Sequence, residues 1–552
     1  MTNYNERKNG VNEMNMNGSK FSWRAISGVW QQLLVMAVTV TSLSACGPGL
    51  DSLGPFTIGG TVTGLTGTVV LQNNGADNVS LTADGSFTFA AKISKDAAYA
   101  VTVLTPPSGQ VCTVSGGTGT ATEKVTNILV TCIVPWTGTK QIAGPVGLQS
   151  VGQSVAVDSS GNVYVAGDVA NGGLDGNSPL GSQDAFFTKY SISSVKQYTR
   201  QRGAIGASTS GQSVATDKSG NVYVAGFTDG SLSTSDPKVG TNKDFFVTKY
   251  NSNGDPVNTR QLGVTGQDQN TYGYSVTVDS DGNFYVAGAT LGPLDGSAPR
   301  GSADFFVTKF NSDLVPQYTK QRGVAGAETI GRSVTVDSSG NVYVAGSTTG
   351  ALDGSAPRGS TDFFVTKYNR NGDFVYTRQL GVAGADTFGY SVAVDSGGSV
   401  YVAGSTTGAL NGSTPRGLAD FFVAKYDSAG VWQSTWQKGG VDVTANSIGH
   451  SVAVDANGNV FVAGETTAQL YTDLTTGTKD LFIVKYNRLG EVLYLHQSGV
   501  AGRDTVGQSV ALDASGNAFV AGYTFGGLDG NLLPAGLSYF FVTKYDTNGV
   551  KQ

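Results

Sequence analysis

The tripeptide Val-Ala-Gly closes one phrase seven times in this chain, at Gly167, Gly226, Gly288, Gly346, Gly404, Gly464 and Gly522, at intervals of 58 to 62 residues. A period of that length means a stack of one supersecondary unit. Each copy reads as four strands: "GxSVAVD", a turn such as "SSGN", "VYVAG", a longer loop, "DFFVTKYN", a second turn, and "YTRQLG". Val, Tyr, Phe and Thr fill the strands, and Gly, Asn and Asp fill the turns, so a four-stranded antiparallel meander is the expected unit. One meander cannot bury both of its faces. Seven packed radially can, with the small residues of the innermost strand letting them converge on an axis.

A ring must also close, and the sequence supplies a strand for that purpose. The seventh copy reaches "KYDTNGVKQ", where its fourth strand is due, while residues 139–147, "TKQIAGPVG", stand before the first copy and match "TRQLGVAG" with one extra residue. The expectation is an all-β, seven-bladed propeller over 134–552 whose seventh blade is completed by that early strand.

"VDSSGNVYVAG" followed by "DFFVTKY" resembles the SBBP beta-propeller repeat of bacterial secreted proteins, and more distantly the NHL-type repeat. The resemblance implies the fold but not the function, because propellers host binding, scaffolding and catalysis alike.

Charge excludes one class of partner. The chain is 14% charged with a net charge of −6 and carries no cluster of Lys and Arg, so the electrostatic footprint of a nucleic-acid binder is missing. Chemistry that depends on histidine is also constrained, since only His450 and His496 exist. They fall on the innermost and outermost strands of one blade, three strand spacings or about 14 Å apart, and cannot share a metal or a proton. No metal or cofactor site is expected, and no catalytic residue is assigned. A carbohydrate-active hydrolase or lyase remains an alternative, because Glu328, Asp386 and Asp504 occupy equivalent loops before innermost strands. Near-identical blades nevertheless place like residues in like positions, whereas catalysis needs different groups in defined roles. A purely structural envelope protein is a third reading.

Residues common to all copies are read as structural. Asp158 and its six counterparts open the "DxxGN" turn. A calcium loop of EF type would need alternating oxygen ligands and a distal Glu, so turn amides are the expected partners, with Gly in the left-handed conformation. The Lys of "TKY" is expected to pack its stem between strands and to find the turn Asp or a carbonyl.

Function is sought where copies differ. The x of "GxSV" is Gln153, Gln212, Tyr274, Arg332, Tyr390, His450 and Gln508. These seven side chains are placed at one mouth of the central channel, where they suit a sugar or peptide ligand; a solvated entry position tolerant of any polar residue is the other reading. Arg300, Arg358 and Arg416 recur in "PRG" on three successive blades. They suit either an anionic polymer or structural pairing with loop carbonyls and with Asp295 and Asp353.

The first 45 residues read as an export signal: Arg7, Lys8, Lys20 and Arg24 precede the apolar run from Leu33. The run ends in Leu43, Ser44, Ala45 and Cys46, which resembles the lipobox of bacterial lipoproteins. That resemblance implies cleavage before Cys46, acylation of its thiol and amino group, and, with Gly47 following, passage to the outer membrane. Residues 46–55 would then be a lipidated linker. Residues 56–133 read as short alternating strands of a small antiparallel, immunoglobulin-like β-sandwich, with Cys112 and Cys132 as a disulfide in an oxidising compartment.

Overall fold

The structure is a computed structural model that describes residues 55–552 apart from 143–146, 235–236, 267, 355, 471–475 and 535. The signal segment, Cys46 and nearly all of the linker lie outside the described residues. A boundary between Pro55 and Phe56 divides the chain, and everything from Phe56 onward forms one compact unit. Among the described residues no helix is long and apolar enough to cross a membrane.

Residues 56–133 form two four-stranded sheets. One sets Gly85–Thr88, Ile58–Thr63, Val125–Ile133 and Val111–Ser115 side by side, and the other Asp77–Leu81, Val69–Asn73, Ala98–Thr105 and Thr118–Thr120. Alternation along the strands sends Ile58, Val62, Leu71, Phe87, Ile128 and Val130 into a shared core. The expected sandwich is not wholly antiparallel: Ile58–Thr63 runs parallel to Val125–Ile133. Alternation reveals a strand and its buried face but not the direction of a partner about seventy residues away. Cys112 and Cys132 stand directly opposite one another on antiparallel strands and are joined as a disulfide.

Seven four-stranded sheets follow, six of them meandering in chain order from first strand to fourth; in the first these are Gln149–Val157, Val163–Ala170, Gln183–Tyr190 and Lys196–Arg202. The seventh takes its fourth strand from Lys140–Gln141, with Phe541 opposite Gln141 and Val542 opposite Lys140. The register matches the other blades, where Phe364 faces Gln379 and Phe246 faces Gln261. Gln141 also repeats the work of its counterparts. Gln379 accepts the Leu352 N–H at 2.8 Å and donates to the Gly350 carbonyl at 2.9 Å, while Gln141 accepts from Leu528 at 2.9 Å and donates to Gly526 at 3.2 Å.

Side chains carry the ring from blade to blade. The hydroxyls of Ser154, Ser213, Ser275, Ser333, Ser391 and Ser451 each accept a Val N–H from the next first strand at 3.1 to 3.2 Å, and Ser509 accepts from Val155 at 3.2 Å, which returns to the start. The two aromatic residues of "DFF" point to opposite faces of a blade. The first meets the second of the following blade: Phe305 with Phe364 and Phe363 with Phe422, both at 5.0 Å between centroids. Phe540 and Phe186 make the same 5.0 Å contact across the seventh and first blades, inside a core that also holds Val542, Phe519, Val155, Val165 and Trp136.

The turn aspartates behave as expected. Asp337 accepts the N–H groups of Ser339 and Asn341 at 2.9 Å on one oxygen, and the Asn341 amide at 2.8 Å and Tyr343 hydroxyl at 3.0 Å on the other. Burial pushes this carboxyl up, but the hydrogens from Asn341, Tyr343 and Ser339 outweigh it and hold the group below its usual range. Gly340 turns the chain at φ +80°, a conformation that favours glycine. Lys189, Lys249, Lys309, Lys367, Lys425 and Lys485 reach a carbonyl in the next blade, as Lys249 does to Ser312 at 2.8 Å.

Candidate functional site

All seven variable residues of "GxSV" occupy the same structural irregularity. Gly331 pairs with Gly346 and Ser333 with Ala345, so Arg332 is skipped by the ladder, and the shift recurs in every first strand. A bulge frees one residue from pairing and re-aims its side chain. The preceding glycine is required by proximity: a Cβ on Gly152 would lie 2.8 Å from the Gly522 carbonyl oxygen of the adjacent blade.

The bulges bring four of these side chains into a continuous string. The Arg332 guanidinium lies 6.0 Å from the centroid of the Tyr274 ring on one side and 5.6 Å from that of Tyr390 on the other. Tyr390 continues to His450 at 5.7 Å between rings. On the remaining blades the position holds glutamine: Gln153 donates to Asp168 at 3.4 Å, Gln212 donates to the Ser210 hydroxyl at 2.6 Å, and Gln508 is half-buried. The ring therefore has an aromatic and cationic arc on blades three to six and an amide arc on blades seven, one and two.

Protonation states follow from the surroundings. Burial pushes the Tyr274 hydroxyl up to about 12, with Arg332 opposing, so the phenol is neutral. Burial pulls His450 below its ordinary value; Glu465 works against that, and Lys479 and Arg332 reinforce it, leaving a neutral imidazole at pH 7. His450 Nε2 is buried without a hydrogen-bond partner and stands 4.0 Å from Glu465, which Lys479 holds at 3.0 Å. Arg332 Nε is likewise buried without a partner.

Glu465 belongs to a second variable position, the residue after "VAG", which sequence reasoning passed over. It is Asp168, Phe227, Ala289, Ser347, Ser405, Glu465 and Tyr523 around the ring. Variation beside an unvarying tripeptide was the available signal. Asp168 is buried and accepts the Ser210 hydroxyl at 2.9 Å and the Gly211 N–H at 2.7 Å. Burial nevertheless dominates and raises it to about 6.

Arg300, Arg358 and Arg416 are exposed on consecutive blades, and their main-chain N–H groups donate to Asp304, Asp362 and Asp420. Asp295, one of the expected partners of these arginines, accepts the N–H groups of Ser297 and Gln321. A carboxylate at the head of a tight turn satisfies nearby backbone donors first. His450 lies on the first strand of its blade and His496 on the fourth. The carboxylates Glu328, Asp386 and Asp504 sit on three separate blades, each just before a first strand.

The family described as beta-propeller repeat (SBBP) matches residues 139–168, 197–232, 257–295, 317–352, 375–411, 442–472 and 493–529. The regulatory protein FlaEY of Caulobacter vibrioides is 27% identical in an alignment 423 residues long that covers 67% of this chain and 42% of that protein, so the chain spans under half of the relative's length. Among solved structures, the polysaccharide lyase Uly1 overlaps at TM-score 0.41 with 10% identity, covering 71% of this chain and 89% of the lyase. The periplasmic gluconolactonase PpgL of Pseudomonas aeruginosa overlaps at 0.37 with 14% identity, covering 64% and 87%. The Dos1 propeller overlaps at 0.38 with 8% identity, covering 74% and 95%. Overlaps of this size have no bearing on function.

Proposed function

We propose that this chain, which carries seven matches to the SBBP beta-propeller repeat, is a non-catalytic binding protein of the cell envelope, tethered by lipid on Cys46, that takes a glycan or peptide ligand at one mouth of its channel. The reading is carried by the unbroken contact of Tyr274, Arg332, Tyr390 and His450 across four blades. Flat rings beside one cation and unpartnered donors suit a ligand with an apolar face and hydroxyl or carbonyl edges. Gln153, Gln212 and Gln508 on the facing arc offer amides that both donate and accept. The repeated residues support this division of labour, since turn Asp, strand Lys and latch Ser are occupied within or between blades.

Glycan and peptide arrays probed with the intact protein and with the Tyr274→Ala/Arg332→Ala/Tyr390→Ala/His450→Ala variant test the proposal. Binding that falls at least tenfold in the variant, with an unchanged melting temperature, supports it. Equal binding by both proteins, or turnover of a bound polysaccharide, overturns it. Growth in radiolabelled palmitate checks the tether: label lost in Cys46→Ser supports it, and label absent from the wild type refutes it.

A further inference from the structure

A second surface, separate from the channel mouth, runs along the grooves between blades three, four and five. The groove between blades three and four, of about 310 Å³, is lined by Asp295, Arg300, Lys320, Arg322 and Phe374. Arg300 and Arg322 also line a neighbouring cavity of about 510 Å³, together with Asp353. Asp353 continues into a third, of about 470 Å³, with Arg358, Arg378 and Trp432. Shared lining residues make the three cavities one track.

The track repeats with the blades. Arg300 and Arg358 hold the same position in successive copies, as do Phe374 and Trp432, which open the fourth strands of blades four and five. Phe374 is 49% exposed and Trp432 47%, unusual for large rings on a surface. Cations outnumber carboxylates around them: Arg300, Lys320, Arg322, Arg358 and Arg378 line the track beside Asp295, Asp353 and Asp373, and the Arg322 guanidinium lies 4.4 Å from the Phe374 centroid. Arg322 and Arg378 are anchored on backbone carbonyls of Leu352 and Gly430, whereas the exposed side chains of Arg300 and Arg358 have no acceptor among the described residues.

We propose that this track binds an acidic polysaccharide, with sugar faces on Phe374 and Trp432 and the carboxylate or sulfate groups on Arg300 and Arg358. An aromatic ring presents an apolar face to a pyranose, and a planar guanidinium accepts either anion in bidentate fashion. A repeating polymer engages repeated subsites at once, which multiplies weak contacts. The spacing of one cation and one ring per blade suits such a polymer better than a nucleic acid, for which the chain lacks a continuous basic stripe.

Affinity electrophoresis of the full chain through gels containing polygalacturonate, dextran sulfate, neutral dextran or single-stranded DNA tests the proposal. The wild type is expected to be retarded by polygalacturonate (carboxylate), dextran sulfate (sulfate) or both, and not by neutral dextran. Arg300→Ala/Arg358→Ala and, separately, Phe374→Ala/Trp432→Ala are expected to weaken retardation at least tenfold with unchanged melting temperature. Arg503→Ala, which removes an exposed charge just ahead of the seventh blade's first strand, outside the lining of all three cavities, is expected to leave it unchanged. The proposal is overturned by no retardation in either acidic gel, by retardation insensitive to the track variants, by equal loss in Arg503→Ala, or by equal, track-dependent retardation in DNA.

Discussion

Replacing Phe540 with alanine tests whether the seventh and first blades share a core. Phe540 is fully buried and meets Phe186 at 5.0 Å, among Val542, Phe519 and Val165. Truncating a buried Phe costs about 3–5 kcal/mol through lost transfer and the cavity left behind, and the aromatic pair adds about 1 kcal/mol. Phe305→Ala is the internal standard, since Phe305 is equally buried and meets Phe364 at the same 5.0 Å in the middle of the ring. Both variants are expected to lower the urea midpoint of unfolding, followed by tryptophan fluorescence, by closely similar amounts. In an open arrangement Phe540 would lie on an uncovered terminal face and its removal would cost under about 1 kcal/mol. A Phe540→Ala midpoint indistinguishable from the wild type, beside a clear fall for Phe305→Ala, would refute closure.

Two further outcomes are expected. Asp168 is raised by burial to about 6 from 3.8, so the native state holds its proton more tightly than the unfolded chain, and its contribution is present below pH 4 and lost as pH rises through 6; the difference is worth about 3 kcal/mol. Asp168→Asn should flatten the fall in melting temperature between pH 4 and 6.5, and an unaltered profile would show that Asp168 is not the titrating group. Ser391→Ala leaves the Val452 N–H without its 3.1 Å acceptor and is expected to cost about 1–2 kcal/mol, read as a lower melting temperature that Ser391→Thr partly restores.

Much of this architecture was legible because the repeat reports its own geometry. The strand at Lys140–Gln141 was readable because "TKQ" carries the Gln that pins the long loop in the other blades. The seven bulge residues were readable as a set because x varies inside an otherwise fixed phrase. What the sequence hid depends on pairing between distant segments. The bulge at Arg332 exists only relative to the strand Val342–Thr348, and the Ser latch joins residues about sixty positions apart. The track of Arg300 and Trp432 is assembled from three copies, so no single copy displays it. The parallel pairing of Ile58–Thr63 was hidden for the same reason. The export segment and Cys46 lie outside the described residues.

The joint at Thr139 and Asp529 links residues 390 positions apart. Synthesis therefore runs through nearly the whole ring while Lys140–Gln141 waits for a partner not yet made. Until the seventh sheet docks, the growing array has two raw flanks, apolar sheet faces of the kind that associate with other apolar surfaces. An interrupted product is thus marked by its own geometry, and proteases or chaperones that survey unfinished chains have a feature to read that vanishes the moment the last sheet docks.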